Sequence, residues 1–460
     1  MYLVAGLGIT GQSVLRYCQA QGEVCFAFDT RTGLDTQSLA SEFPDIAFAV
    51  GEVPIEWYTQ FDTIVLSPGI AKSSPWVVAL IKLGKEVIGD IELFARAVGK
   101  PVIAITGSNG KSTVATLTGL ALSQAGYTVG VGGNIGQAAL TLLLDDTEYD
   151  VYVLELSSFQ LETTYSLVTA SATVLNISED HMDRYDELED YIQAKTKVFA
   201  ETELAVIPAD FSEQGLIHHA PVCRFSLAEG FIQSELDYGV IEGHDSSNHL
   251  SNNQTWLGFG QTRLVSVSDM ALKGSHHALN ALAMMALCRP FKVTSKHFTQ
   301  VLASFTGLPH RTQSIGCFNG VDWVNDSKGT NVGATVTAIE SIGSQQAGSV
   351  ILIAGGVGKE ADFSDLKQPV ATYCRQVILF GRDQAHIAES LTGLSVECVE
   401  TLDEAVDIAN KLAHSGDCVL FSPACASFDQ FDNYLHRGDC FKTLVEAAQL
   451  GTASAQGSVS

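Results

Sequence analysis

Short apolar runs that stop at glycine-rich turns and give way to amphipathic stretches recur along this chain, and no other feature limits its fold as strongly. Residues 3–5, 63–66, 102–106, 151–156, 350–354 and 377–380 are such runs. Apolar runs this short, set between helical patterns, predict parallel strands buried on both faces, hence an α/β architecture. The pattern restarts near residue 100 (GKPVIAITG) and again after residue 307, where GLPHR precedes a new strand region. We therefore expect three α/β domains, 1–91, 92–307 and 308–460. A polar, Ser/Asn-rich stretch at 243–254 reads as a loop of the middle domain, and the small, polar tail 451–460 reads as unstructured. With 460 residues the chain has ample core to fold without disulfides or structural metals.

Charge narrows the partners. The chain has 26 Lys+Arg against 52 Asp+Glu, a formal charge of −26. A general nucleic-acid or anionic-membrane binder needs a basic surface, so both classes are disfavoured. Anionic small ligands stay open, because a few placed cations reverse the field inside one pocket. The 10 cysteines form no CxxC pair and read as buried free thiols of a reducing compartment. Neither a signal-peptide pattern nor a run near the ~18 apolar residues of a membrane span is visible. The expectation is a soluble, cytoplasmic, monomeric protein without membrane insertion.

Two loops carry nucleotide chemistry. Gly6-Leu7-Gly8-Ile9-Thr10-Gly11 follows the first strand and opens a helix, with Asp29-Thr30-Arg31 at the end of the next strand and Ser67-Pro68-Gly69 after a further one. Glycines allow the tight turn, and the helix start offers free N–H groups to a phosphate. Alone, this fits a nicotinamide dehydrogenase as well as other nucleotide binders. Gly107-Ser108-Asn109-Gly110-Lys111-Ser112-Thr113 is the stronger signal. Its backbone N–H groups can cradle phosphates, Lys111 can neutralise their charge, and the Ser112 hydroxyl can ligate Mg²⁺. Two nucleotide loops in separate domains argue against a simple dehydrogenase.

Further segments sit at strand ends. Glu155, closing the run 151–155, is where Mg²⁺ beside a phosphate loop needs an oxygen. His181 lies in ISEDHMDRY, clustered with Glu179, Asp180 and Asp183, a credible ligand or substrate contact. Arg311 and Lys328 suit phosphate oxygens, and Asp326 suits ribose hydroxyls. From pattern alone Lys195 is an exposed helical lysine. Cys425, without a placed histidine partner, reads as a small buried thiol.

Together GLGITGQS, TGSNGKST, GGNIG, ELSSFQL, ISEDHMDRY, YIQAK, LPHRTQ, NDSKGTN and SPACASFDQF resemble the Mur ligases that build the bacterial cell-wall precursor. The resemblance runs from residue 3 to about residue 445. It implies a Rossmann-like N-terminal domain, a central P-loop-type ATP-binding domain and a Rossmann-like C-terminal domain. The activity implied is that of an ATP-dependent amide ligase adding D-glutamate to UDP-N-acetylmuramoyl-L-alanine through an acyl phosphate, with Mg²⁺. By the same resemblance Gly8, Ile9, Thr10, Asp29, Thr30, Arg31, Gly69, Asn134 and Ser157 would hold the UDP substrate, which turns the dinucleotide fingerprint into a UDP site. Gly107, Asn109, Gly110, Lys111, Ser112, Thr113, Asn280, Arg311 and Asp326 would bind ATP. Ser112, Glu155, His181 and a carbamylated Lys195 would hold metal; Thr330, Lys359, Ser427 and Tyr434 would take D-glutamate. Lys111, His181, Lys195 and Lys328 are the implied catalytic set. His277 departs from the asparagine the family pattern places beside the adenine. A related folylpolyglutamate synthase does not need the GLGITGQS domain, whose presence argues against that reading.

Overall fold

A computed structural model describes residues 1–182, 184–212, 220–244, 253–344, 346–358 and 361–456. They form two compact units, one of residues 1–177, 189–273 and 277–305, the other of 178–188, 274–276 and 306–460.

The first unit holds two large sheets. Strands β1 (Tyr2–Ala5), β2 (Cys25–Asp29), β3 (Ala47–Val50), β4 (Thr63–Leu66) and β5 (Glu86–Ile88) are all parallel, in the order β3-β2-β1-β4-β5. The winding reverses beside β1, so the loops after β1, β2 and β4 share one carboxyl rim, the place where open α/β sheets bind ligands. The second sheet contains β6 (Val102–Thr106), β7 (Val129–Gly133) and β8 (Val151–Glu155), while β9 (Val168–Thr169) pairs separately with β11 (Glu201–Thr202). It continues through β10 (Ser171–Val174), β12 (Ala205–Pro208), β13 (Val222–Phe225), β14 (Asp237–His244), β15 (Asn253–Phe259) and β16 (Thr262–Ser266). The nine strands run β16-β15-β14-β13-β12-β10-β6-β8-β7, parallel except for the antiparallel β14–β16 edge. Of the loop expected at 243–254, residues 243–244 belong to β14 and 253–254 to β15, and 245–252 lie outside the described residues.

One apolar core joins the two sheets, from Val4, Leu15 and Val65 through Phe94 to Val102, Tyr152 and Ala172. Phe94 meets Tyr152 edge to face at 5.2 Å. Phe94 stands on the helix Asp90–Ala97, and the expected domain boundary at residue 91 falls inside that helix.

The second unit is built on β17 (Gln313–Phe318), β18 (Val321–Asn325), β19 (Val350–Gly355), β20 (Cys374–Phe380), β21 (Val396–Cys398) and β22 (Cys418–Phe421), ordered β17-β18-β22-β19-β20-β21. All but β17 are parallel. Every residue of β19 and β22 is buried, as continuous apolar runs require. The last helix spans Tyr434–Gln456; the tail expected to be unstructured begins within it, and residues 457–460 lie outside those described.

None of the 10 cysteines is in a disulfide, and six are buried, but Cys317 and Cys398 are exposed, so the buried-thiol reading holds only in part. Among the described residues no helix is long and apolar enough to cross a membrane.

Candidate active site

The first glycine loop depends on close packing. A Cβ on Gly11 would meet the Gly6 carbonyl at 1.8 Å, so helix and strand approach this closely only with glycine there. The loop is tied to β2 by Asp29, whose Oδ2 accepts the Leu7 N–H at 2.8 Å. Arg31 grips the same carboxylate with its backbone N–H (2.9 Å), Nε (2.9 Å) and Nη2 (2.8 Å). Burial raises the Asp29 pKa, but these donors outweigh it and bring the group down to about 2. The carboxylate is therefore charged at neutral pH and fixes both loops of the rim.

Above them lies a cavity of about 500 Å³. Gly8, Ile9, Thr10, Asp29, Thr30, Arg31, Gly69 and Asn134 of the expected UDP set all line it. Gly133, Gly136 and Gln160 also line it; they lie in the GGNIG and ELSSFQL segments, from which the sequence assigned only Asn134, Glu155 and Ser157. Ser157 is not among the lining residues. Its hydroxyl accepts the Gln160 N–H at 3.2 Å and caps the short helix Ser158–Glu162.

The phosphate loop leaves β6 beside Glu155, because Ile105 and Glu155 are partners in neighbouring strands. Gly110 caps the helix Lys111–Gln124 with φ 84°, and a Cβ there would meet Asn280 Oδ1 at 2.8 Å, so Asn280 stands against the loop. Asn176 holds it from the other side, accepting the Asn109 N–H at 2.8 Å and donating to the Asn109 carbonyl at 3.0 Å. The Lys111 ammonium donates to the carbonyls of Gly107 and Ser108, both at 2.9 Å. Ser112 donates its hydroxyl to Glu155 Oε2 at 2.5 Å, and Asn134 Nδ2 donates to Glu155 Oε1 at 2.9 Å. Glu155 is 1% exposed, so one buried carboxylate links the phosphate loop to a residue of the cavity wall.

Lys195 corrects the pattern reading. It is 2% exposed rather than on a solvated face, because its helix turns it under the phosphate loop. Its Nζ donates to the Gly107 carbonyl at 2.8 Å and lies 4.5 Å from the centre of the Tyr191 ring.

In the second unit Asp326, at the end of β18, accepts the Thr312 N–H at 3.0 Å and the Ser422 hydroxyl at 2.7 Å. Burial pushes its carboxyl up to about 6 against these donors and the Arg311 charge. Lys328 lies over the Tyr434 ring, 4.1 Å from its centre. Thr330 follows in the same loop, and Ser427 is buried at the end of the β22 loop. The residue that organises these loops is one the sequence did not flag. Arg437, fully buried, donates to the Ser327 hydroxyl (3.1 Å), the Ser327 carbonyl (2.8 Å) and the Cys425 carbonyl (3.0 Å). Burial lowers its pKa to about 10. Cys425 is itself fully buried, in keeping with a packed thiol. His181, with φ 60°, puts Nε2 3.6 Å from Asp180 Oδ2, and Asn331 donates to that same oxygen at 3.3 Å. Lys359 and Asp183 lie outside the described residues.

The candidate metal ligands fall in both units: Ser112, Glu155 and Lys195 in the first, His181 in the second. Ser112 and Glu155 form a hard oxygen pair at the mouth of a phosphate loop, which suits Mg²⁺. Among the described residues no group of three or more His, Cys, Asp or Glu could hold a metal ion. Mg²⁺ fits such a sparse set, since it commonly keeps phosphate oxygens and waters as its remaining ligands.

Three family models match the chain: the Mur ligase MurD-like N-terminal domain over residues 1–89, the Mur ligase middle domain over 105–288, and the Mur ligase glutamate ligase domain over 310–425. A curated UDP-N-acetylmuramoylalanine–D-glutamate ligase of Hydrogenovibrio crunogenus is 60% identical over 97% of this chain and 98% of its own. One of the same name from Alcanivorax borkumensis is 44% identical over 96% and 97%. Among solved structures, the MurF ligase of Thermotoga maritima in complex with ADP superposes with a TM-score of 0.63 at 16% identity, covering 97% of this chain and 95% of that one. The UDP-N-acetylmuramate–alanine ligase MurC of the same organism gives 0.59 at 17%, covering 97% and 99%. At these identities the structures speak for the fold alone, a three-domain α/β arrangement.

Proposed function

The chain belongs to the Mur ligase family, and from that premise we propose that it joins D-glutamate to UDP-N-acetylmuramoyl-L-alanine with hydrolysis of ATP. The name carried by relatives 60% and 44% identical along nearly the whole chain supports this substrate pair. The observation that carries the mechanism is the double hold on Glu155, from Ser112 on the phosphate loop and from Asn134 in the cavity wall.

A carboxylate is a poor electrophile until one of its oxygens becomes a leaving group. The alanyl carboxylate of the UDP substrate attacks the ATP γ-phosphorus, ADP departs, and an acyl phosphate results. The D-glutamate amine then adds to the acyl carbon, and the tetrahedral intermediate collapses with expulsion of phosphate. In the first step charge gathers on phosphoryl oxygens, so catalysis rests on preorganised positive charge and N–H groups. Lys111 supplies an ammonium, oriented by the Gly107 and Ser108 carbonyls, and the loop 107–113 supplies backbone donors, with Asn176 fixing the loop at Asn109. Mg²⁺, held by Ser112 and Glu155, would add charge neutralisation at the transferred phosphoryl group. Lys195, beneath the same loop, is the candidate for carbamylation, which would turn its ammonium into an anionic metal ligand, and we assign His181 to a second metal.

We assign the cavity rimmed by Gly8, Thr10, Asp29, Arg31, Gly69 and Asn134 to the UDP substrate. Ser157 reaches it through Gln160. Thr330, Ser427, Tyr434 and Lys328 are assigned to D-glutamate, with Lys359 as a further candidate, and Arg311, Asp326 and Asn280 to the nucleotide. The domains read as 1–91 for the UDP substrate, 92–307 for ATP and 308–460 for the amino acid. Free thiols and nucleotide-linked substrates favour a cytoplasmic enzyme with small-molecule partners and no nucleic acid. Mass analysis of the product tests the reaction: the UDP substrate gains one glutamyl residue only when ATP and D-glutamate are both present. An unchanged substrate with all three supplied would refute the proposal.

A further inference from the structure

Gln160 lines the 500 Å³ cavity while only 2% exposed, and its orientation is set by two partners. Its Oε1 accepts the Ser157 N–H at 3.1 Å and faces the Ser157 hydroxyl at 3.2 Å. A backbone N–H can only donate, so the amide oxygen must face Ser157 and the amide nitrogen must face away from it. That nitrogen points at Asp90 Oδ2, 3.3 Å distant.

Asp90 opens the helix Asp90–Ala97 and is 1% exposed. Its other oxygen, Oδ1, has no hydrogen-bond partner among the described residues. A buried carboxylate with an unmatched oxygen is costly; its place at a helix start offsets part of that cost, and among the described residues the Gln160 amide is its one side-chain donor. Docking of this helix is also secured without it. Glu92 Oε2 accepts the N–H groups of Tyr165 (2.7 Å) and Ser166 (2.9 Å), Glu92 Oε1 accepts the Ser166 hydroxyl (2.8 Å), and the Gly89 N–H donates to the Thr163 carbonyl (3.0 Å).

We propose that Asp90 is a positioning residue for the UDP-sugar substrate: by accepting one hydrogen of the Gln160 amide, it aims the other at a substrate oxygen in the cavity. The acceptor is a carbonyl, hydroxyl or phosphoryl oxygen, since an amide N–H cannot serve a donor. This inference rests on the assignment of the cavity to the UDP substrate.

Calorimetric titration with UDP-N-acetylmuramoyl-L-alanine tests it, together with steady-state kinetics on the full-length enzyme. Asp90→Ala removes the acceptor, and Asp90→Ser keeps a polar helix start but is too short to reach Gln160. Both should weaken binding about tenfold, the size of one lost hydrogen bond, and raise the KM for the UDP substrate alike. The KM values for ATP and D-glutamate and the kcat should stay within about twofold. Asp90→Asn, which keeps an acceptor, should bind within about threefold of wild type. In a Gln160→Leu background Asp90→Ala should add nothing further, because its effect passes through Gln160. Wild-type binding with undiminished affinity in Asp90→Ala and Asp90→Ser, a common rise in all three KM values, or additive losses in the double variant would overturn the role of Asp90. Failure of the wild-type protein itself to bind the UDP substrate would remove the cavity assignment on which the role depends.

Discussion

Ser112 donates its hydroxyl to Glu155 at 2.5 Å, across the gap between the first turn of the phosphate-loop helix and the end of the neighbouring strand. Register makes this contact: Ile105 and Glu155 are strand partners, so the loop that follows β6 starts beside the carboxylate that ends β8. Asn134 occupies the second oxygen at 2.9 Å, which connects the chemistry of phosphate transfer to the wall that faces the sugar nucleotide.

Replacing Ser112 by Ala should lower kcat by about 10²–10³, the usual loss of one preorganised electrostatic contact, with the Kd of the UDP substrate within about twofold. Rapid-quench kinetics and titration calorimetry separate the two. Equal losses in kcat and in UDP-substrate binding would mean that Ser112 holds the cavity wall rather than the transferred phosphoryl group.

Lys111 rests on its own loop, donating to Gly107 and Ser108 at 2.9 Å, and a bound phosphate would offer it stronger, charged acceptors. Lys111→Ala should abolish measurable phosphate release while UDP-substrate binding persists. Loss of UDP-substrate binding to the same degree would contradict the division between cavity and loop.

Asp29 has a depressed pKa of about 2 because Arg31 and the Leu7 N–H hold its charged form. The sign follows directly: this stabilisation is present above the ordinary value near 3.8 and is lost as pH falls toward about 2. Arg31→Ala should lower stability at pH 7 by about 1–2 kcal/mol, at the modest end because Arg31 is well exposed, and should flatten the acid limb of the stability curve. Chemical denaturation from pH 2 to pH 7 reads both. The same variant should weaken UDP-substrate binding, since Arg31 lines the cavity.

Asp326 is shifted the other way, from 3.8 up to about 6, by burial. The folded protein then binds the proton more tightly than the unfolded chain, so this group makes stability fall as pH rises between about 4 and 6. Asp326→Asn should remove that slope, which at its limit is worth roughly 3 kcal/mol. Asp90, also raised to about 6 by burial, contributes a slope of the same sign, so the comparison is variant against wild type rather than the wild-type curve alone.

Much of this was legible in the sequence, because strand runs and the turns that follow them are local signals. The loops after β1, β2 and β6 and the carboxylate ending β8 were found from pattern, since a parallel sheet gathers strand ends on one rim. Gln160 and Gly133 stand inside the ELSSFQL and GGNIG segments but received no role there, because only the packing of two sheets against one core carries them to the loops of the first. Lys195 read as solvated by pattern, and the family resemblance alone marked it. Arg437 was missed for a related reason: a charged residue in HRGD reads as surface, and its buried partners are the Cys425 carbonyl of the preceding loop and the Ser327 carbonyl, 110 residues away in sequence. Choice of D-glutamate has no local signature of spacing or composition.

Selection of D-glutamate is read out by a coupled phosphate-release assay across amino acids. With ATP, Mg²⁺ and UDP-N-acetylmuramoyl-L-alanine supplied, phosphate should be released with D-glutamate and only at background rates with L-glutamate, L-lysine or no amino acid. Release with L-glutamate or lysine at rates equal to or above that with D-glutamate would contradict that selection.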